Sequence, residues 1–257
     1  MKKNILNIIE AKNKRPLVCL TAYSKPVAKI LDKYCDIVLV GDSLATAMYG
    51  MKNTHHVTLE TMIRHGVSVK ANLSKALCVV DMPANTYRNI KEAKKNVKLI
   101  VNKTKCDAVK MECNGKNFQI IESVVKMGVP VMGHIGYTPQ YYKKFRLQGL
   151  LDKDHYKLID EAKKNEKAGV FSIVVECVSH SVAKKITQSL KIPTIGIGAS
   201  IHCDGQILVT DDMLGLSGFY PKFVKKFAQL NNTIEIGVKK YNKAVLTRKF
   251  PSKKNTF

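Results

Sequence analysis

The chain has 257 residues, 45% hydrophobic and 25% charged, with a formal net charge of +23. That length and mix argue against a disordered chain and leave room to bury a sizeable core, and no apolar run approaches membrane-spanning length. Seven cysteines (Cys19, Cys35, Cys78, Cys106, Cys113, Cys177 and Cys203) form an odd set without C-x-x-C spacing, which argues against a disulfide framework or structural zinc.

The charge admits a nucleic-acid binder. The lysines, however, are spread along predicted helix faces (Lys91, Lys94, Lys95, Lys98) and the C-terminal segment. No nucleic-acid module accompanies them, so they read as a solvated basic surface that can also draw in anionic substrates.

Residues 1–15 are basic, their apolar part is broken by Asn7 and Glu10, and no small-residue cleavage site follows. They read as a capping helix rather than a signal peptide, which places the protein in the cytoplasm. From Pro16 onward a short apolar run alternates with a longer amphipathic stretch. The runs are PLVCLTAY from Pro16, IVLVGDS from Ile37, ALCVVDMP from Ala76 and AVKMEC from Ala108. VPVMGHIG from Val129, SIVVECV from Ser172, PTIGIGAS from Pro193 and QILVTDD from Gln206 continue the series. Short β-branched runs of this kind are how strands covered on both faces read.

Between them the spacing predicts helices. One stripe is Val27, Ile30, Leu31 and Tyr34, with Pro26 in the first turn; a second is Ile90, Ala93, Val97, Ile100 and Val101. A third is Phe118, Ile121, Val124 and Val125, stopped at Gly128 and Pro130. A fourth is Tyr156, Ile159 and Ala162, closed by Gly169. Eight strands alternating with helices in about 250 residues predict a single-domain α/β (β/α)8 (TIM) barrel spanning 1–257. The rival doubly wound sheet lacks its fingerprint, because Gly196-Ile197-Gly198 has no third glycine in place. Residues 247–257 read as a frayed basic tail.

Active sites of such barrels lie at the C-terminal ends of the strands. In chain order those ends carry Asp42 and Ser43, Asp81, Lys110 and Glu112, His134, Glu176, then Gly196 and Gly198. Taken singly, each has a bland reading: Asp42 or Asp81 a helix cap, Glu112 or Glu176 an ion-pair partner, His134 a core histidine. Taken together on one rim, buried carboxylates are costly unless paired or metal-bound. Asp42, Asp81 and Glu112, with no Cys/His cluster, suit a hard cation such as Mg2+. Such an ion would act as a Lewis acid on the carbonyl of a small 2-oxo acid, easing removal of a proton from the adjacent carbon. Lys110, on the same strand face as Glu112, would hold the substrate carboxylate, and Glu176 is the candidate base, its pKa lifted by its apolar surroundings.

The sequence resembles the ketopantoate hydroxymethyltransferase family. The matching stretches are TAY at 21–23, VGDSL at 40–44, DMP at 81–83, VKMEC at 109–113 and GHIGYTPQ at 133–140. VVECV at 174–178, IPTIGIGA at 192–199, DGQILV at 204–209 and PKFVK at 221–225 complete them. The resemblance implies transfer of a hydroxymethyl group from 5,10-methylenetetrahydrofolate to 3-methyl-2-oxobutanoate, giving 2-dehydropantoate for pantothenate synthesis. It implies Asp42, Asp81 and Glu112 as Mg2+ ligands and Asp42, Ser43, Asp81 and Lys110 as oxo-acid contacts. Glu176 would be the proton acceptor, His134 a supporting group, and the assembly a cytoplasmic homo-oligomer, typically a decamer. The chain departs from the family pattern at Ala45, at His55-His56, at Ala84 where an aromatic commonly follows DMP, at Cys113-Asn114, and in a shortened loop, KKFRLQG, at 143–149. A Mg2+-dependent lyase or mutase of the phosphoenolpyruvate mutase–isocitrate lyase type is the alternative reaction on a similar barrel. The Lys-x-Cys-Gly-His loop of those lyases is missing.

Overall fold

The computed structural model describes residues 2–113, 115–142, 145–218 and 220–257. Asn114 of the Cys113-Asn114 departure, and Lys143 and Lys144 of the shortened loop, lie outside the described residues.

Eight parallel strands close into one barrel in sequence order, with the last pairing to the first. They are β1 (Leu17–Thr21), β2 (Ile37–Val40), β3 (Leu77–Asp81), β4 (Ala108–Glu112), β5 (Val131–Gly136), β6 (Ser172–Glu176), β7 (Thr194–Ile197) and β8 (Gly205–Leu208). Strands β2 to β5 are buried along their whole length, as their unalternating apolar sequences require.

The helices around the strands start where local chemistry allows. Helix α1 (Ile5–Ile9) begins at a capping box in which Asn4 and Asn7 bond each other's backbone, and it buries Ile8. Helix α2 (Lys25–Leu31) carries Pro26 in its first turn. Helices α3 (Leu44–Ala47), α4 (Leu59–Lys70, capped by Thr58) and α5 (Ile90–Thr104, capped by Asn89) follow. Then come α6 (Phe118–Val125), α7 (Asp152–Lys167) and α8 (His180–Ser189). The connection from β7 to β8, residues 198–204, has no helix.

Two helix faces differ from the predicted stripes. In α2 the buried residues are Ala28 and Leu31, while Ile30 is exposed and Tyr34 lies beyond the helix end. In α7 Leu158, Ala162 and Asn165 are buried and Tyr156 is exposed. In α7 the cause is the spacing, because steps of three residues drift about 60° off a face at each step whereas i, i+4, i+7 stays on it; in α2 the predicted i, i+3, i+4, i+7 spacing is sound but the buried face is rotated toward Ala28. The stripes of α5 and α6 hold at Ala93, Val97 and Ile100, and at Ile121 and Val124; Ile90, at the first position of α5, is exposed.

The N-terminal end of the barrel is pinned by aspartates standing immediately before strands. Asp36, Asp107 and Asp204 accept backbone N–H bonds from the neighbouring strands, at Val18 (2.9 Å), Cys78 (2.9 Å) and Thr194 (2.8 Å). Each is neutralised by cations: Asp36 by Lys3 and Arg15, Asp107 by Lys2 and Lys70, Asp204 by Lys12. The N-terminal segment thus contributes four basic side chains that fasten this end.

The barrel lies within Met1–Val209, and Thr210–Phe257 clusters as a second compact unit. That unit contains α9 (Thr210–Met213) and α10 (Leu230–Leu246), with Tyr241 edge-on to Phe250. Among the described residues no helix is long and apolar enough to cross a membrane.

Candidate active site

Strand register decides which polar groups meet at the C-terminal mouth. Asp81 pairs with Lys110 across β3 and β4, Glu112 with His134 across β4 and β5, and Gly136 with Glu176 across β5 and β6. The β2 run ends just before Asp42, whose backbone N–H donates to Asp81 Oδ2 at 3.0 Å. Asp42, Asp81, Lys110, Glu112 and His134 are all buried, and Glu176 is half-buried.

Contacts connect this set into one cluster. The Lys110 ammonium donates to Asp81 Oδ1. His134 lies between two carboxylates, with Nδ1 3.5 Å from Glu112 Oε1 and Nε2 3.1 Å from Glu176 Oε2. Neither imidazole nitrogen has the alignment of a hydrogen bond, although both are buried. Ser43 Oγ is 2.9 Å from the Tyr23 hydroxyl, which ties the TAY motif to the VGDSL motif.

Gln140 is the hub that sequence reasoning missed. Its backbone N–H donates to Glu112 Oε2 at 3.0 Å. Its amide nitrogen donates to Asp42 Oδ2 at 2.8 Å and to the Met82 carbonyl at 2.9 Å. Its amide oxygen accepts from the Tyr87 hydroxyl at 2.5 Å. One residue therefore bridges the end of β2 and the loop after β3 through its side chain, and β4 through its backbone N–H. It closes the GHIGYTPQ block just past a barrel strand, and that position was the available signal.

Gly136 lets the β5 and β6 ends approach. Its φ is +91°, and a Cβ there would fall 2.2 Å from the Glu176 carbonyl oxygen. That oxygen instead accepts from the Tyr137 N–H at 2.8 Å. Glycine is required on both counts. Cys177, next to Glu176, also has a positive φ of 50°, an uncommon conformation for a non-glycine residue.

The electrostatics are lopsided. Four carboxylates, Asp42, Asp81, Glu112 and Glu176, face one lysine and one histidine. Burial, Asp81 and Glu112 push the Asp42 carboxyl up to about 8, against the pull of Lys110 and Gln140. Burial and Lys110 press His134 down, yet Glu112 and Glu176 outweigh them and raise it to about 9. Burial also lowers Lys110, but Asp81, Asp42 and Glu112 reverse the sign and hold it firmly protonated.

Such a site has the chemistry of a cation receptor. Among the described residues no three His, Cys, Asp or Glu side chains are grouped around one point as a metal cage. A Mg2+ ion needs few protein ligands, because it keeps waters and shares its remaining positions with substrate. The donors are all oxygens, and their negative charge is undercompensated by Lys110 and His134. On those grounds the residues fit a hard divalent ion. The predicted metal and substrate residues are brought together; Gly196 and Gly198 line the end of β7 without a contact to the cluster.

A family model described as ketopantoate hydroxymethyltransferase matches residues 2–253. A 3-methyl-2-oxobutanoate hydroxymethyltransferase of Pelagibacter ubique (strain HTCC1062) is 50% identical over 257 residues, covering 100% of both chains. The enzyme of that name from Anaplasma marginale (strain Florida) is 47% identical over 260 residues, covering 100% of this chain and 94% of that one. Among solved structures, a 2,3-dimethylmalate lyase of the PEP mutase/isocitrate lyase superfamily aligns with a TM-score of 0.63 at 13% identity, covering 95% of this chain and 88% of that chain. A phosphonopyruvate hydrolase in complex with oxalate and Mg++ aligns with a TM-score of 0.61 at 13% identity, over 99% and 93%. At that identity the structural likeness concerns the fold alone.

Proposed function

The chain belongs to the ketopantoate hydroxymethyltransferase family, and from that premise we propose that it transfers a hydroxymethyl group from 5,10-methylenetetrahydrofolate to 3-methyl-2-oxobutanoate, giving 2-dehydropantoate. The supporting observation is the convergence of Asp42, Asp81, Glu112, Lys110, His134 and Glu176 on one rim, linked through Gln140. The relatives that carry this activity in their names are 43–50% identical and cover 95–100% of the chain.

In this reading Asp42 and Asp81, with Glu112, hold Mg2+, which when bound polarises the carbonyl oxygen of the 2-oxo acid. The protein's own groups do the rest. Lys110 faces the substrate carboxylate while keeping its bond to Asp81. Ser43, held by Tyr23, contacts the oxo acid. Glu176 takes the proton from C3, and His134, 3.1 Å away, stabilises the carboxylate before transfer and orients it. Water adds to the methylene carbon of the donor, whose two bonds to the folate nitrogens break as those nitrogens take up the two water protons, so tetrahydrofolate departs and the carbon remains as a formaldehyde-level carbonyl. C3 bonds to that carbon, and the alkoxide so formed takes back the proton held by Glu176. Pantothenate synthesis in the cytoplasm by a large homo-oligomer, a decamer, completes the proposal.

The lyase–mutase alternative rests on a shared fold at 13% identity and on nothing closer. The nucleic-acid alternative rests on net charge, part of which is consumed in the ion pairs that fasten the barrel's N-terminal end.

The test is exchange of the C3 proton of 3-methyl-2-oxobutanoate with deuterated water, followed by NMR without folate. Exchange is expected with Mg2+ and not in chelator. Equal exchange in both would refute the proposed chemistry, and turnover of isocitrate or a methylisocitrate would favour the lyase reading. Retention of nucleic acid at physiological salt would favour the third.

A further inference from the structure

Glu112 is buried, yet among the described residues its carboxylate receives one aligned hydrogen bond, from the Gln140 N–H at 3.0 Å. The carbonyl of the same peptide unit, that of Pro139, accepts from His55 Nε2 at 2.8 Å. A carbonyl can only accept, so Nε2 carries the proton that makes this bond. A peptide unit is planar, and its C=O and N–H point in opposite directions. Gripping both ends therefore fixes its rotation as well as its place. The bond to the carbonyl also polarises the amide and strengthens its N–H as a donor to Glu112.

His55 is itself held in place. Its own N–H donates to Asn53 Oδ1 at 3.0 Å. The turn that carries it is closed by the Val57 N–H on the Thr54 carbonyl at 3.2 Å, and both of those residues are buried. The segment 48–58 continues from α3, and so from Asp42 and Ser43. His55 thus joins the chain that follows Asp42 to the peptide that precedes the Gln140 side chain. Packing does not do this work, because a cavity of about 330 Å³ borders Gln140. His55-His56 is also one of the places where the chain departs from the family pattern.

We infer that His55 is a positioning residue for the divalent ion's ligands. Through the Pro139–Gln140 peptide it holds Glu112, and through the Gln140 amide it holds Asp42. It touches neither ion nor substrate. Partners that orient a ligand in this way help set the affinity for the metal. The metal half of the inference rests on the hydroxymethyltransferase reading given above. Water can take the place of His55 at the carbonyl, so what is lost without it is orientation. The expected effect is about fivefold, the worth of one neutral hydrogen bond.

Three variants test the role. His55→Phe keeps a ring and removes the donor. His55→Leu removes the donor at smaller volume and takes over if the ring prevents folding. His55→Gln keeps an N–H at about the reach of Nε2. Two quantities are measured in each. One is hydrogen–deuterium exchange of the Gln140 amide in chelator, resolved by fragmentation of the peptide that contains it. The other is the Mg2+ dissociation constant from titration calorimetry. In the donor-free variant the Gln140 amide should exchange about fivefold faster while the barrel strands exchange as in the parent. Its Mg2+ dissociation constant should rise by the same factor, and His55→Gln should bring both back to within threefold of the parent. A change below threefold in either quantity would overturn the inference. So would faster exchange spread through all the strands, no recovery in His55→Gln, or failure of both donor-free variants to fold, each of which makes His55 a structural residue only. The exchange measurement needs neither metal nor substrate, which separates the two failures. If the Gln140 amide responds as expected but the parent binds no Mg2+, the underlying reading falls. If the parent binds Mg2+ and the variants bind it equally well, only the role of His55 falls.

Discussion

Gln140→Met removes the amide of the hub while keeping its length. The lost bonds are the donation to Asp42 Oδ2 at 2.8 Å, the donation to the Met82 carbonyl at 2.9 Å, and the acceptance from Tyr87 at 2.5 Å. The backbone bond to Glu112 survives. Above about pH 8, where the Asp42 carboxyl is ionised, a hydrogen bond to this charged acceptor contributes roughly 1.5–3 kcal/mol and each neutral one about 1 kcal/mol. The sum is about 4 kcal/mol. Water entering from the adjacent cavity recovers part of it, which leaves a loss of about 3 kcal/mol. In urea that corresponds to a midpoint about 1 M lower, taking a slope of roughly 3 kcal/mol/M. The measurement is urea unfolding at fixed protein concentration, with chelator and again with saturating Mg2+. With Mg2+ the deficit should shrink, because an ion at Asp42 replaces the partner that the amide supplied. An unchanged midpoint would refute the role given to Gln140. A deficit equally large with and without Mg2+ would refute the placement of the ion at Asp42.

Glu176→Gln should lower C3 exchange by about 10²- to 10⁴-fold, the usual contribution of a general base. Mg2+ binding, followed by calorimetry, should persist, since Glu176 is not among the proposed ligands; loss of both together would make Glu176 a structural residue. Gly136→Ala forces a Cβ to 2.2 Å from the Glu176 carbonyl at a φ of +91°, so it should destabilise the protein by about 3 kcal/mol or more. A thermal or urea transition matching the parent would show that the β5–β6 approach is looser than described. Asp32 accepts bonds from the Ser74 hydroxyl and the Ser74, Lys75 and Ala76 N–H groups. Burial alone would raise its carboxyl, but these donors prevail and hold it at about 2 against an ordinary 3.8. The folded pKa is the lower one, so its stabilisation of roughly 2 kcal/mol is complete above about pH 4 and is lost as pH falls through about 2. Unfolding curves from pH 6 to pH 2.5 should show Asp32→Ala less stable at neutral pH and less acid-sensitive than the parent; parallel curves would refute the assignment.

The barrel was legible because buried parallel strands cannot hide their composition. IVLV at 37–40 and LCVVD at 77–81 have no polar alternation, and each is buried along its whole length. The rim residues were legible because every predicted group terminates or closely follows a strand. Two things were not. Which face a helix buries depends on phase as well as period, so Tyr156 was drawn into a stripe that the α7 geometry rotates outward. Gln140 was overlooked because an amide carries no titration, metal or nucleophile signal. Its importance lies in reaching three partners at once, and only coordinates reveal reach. The β7–β8 connection belongs to the same class: residues 198–204 are too few for a helix, but only the register Ile195↔Gly205 shows the strand pairing that results.

The two ends of the barrel give the strongest internal argument for function. Both carry buried or half-buried aspartates at strand termini, so the bland reading of such residues as structural caps can be tested within one molecule. At the N-terminal end it holds: Asp36, Asp107 and Asp204 each accept a strand N–H and each meets at least one cation. At the C-terminal end it fails. Lys110 pairs with Asp81, His134 lies between Glu112 and Glu176 without an aligned bond, and Asp42 has only a neutral amide, so burial and its neighbours drive its carboxyl to about 8. A chain with 43 lysines and arginines could readily have placed a cation there. That this end alone stays undercompensated, in a chain so rich in positive charge, is what a site awaiting a cation and an anionic substrate requires, and structural capping does not account for it.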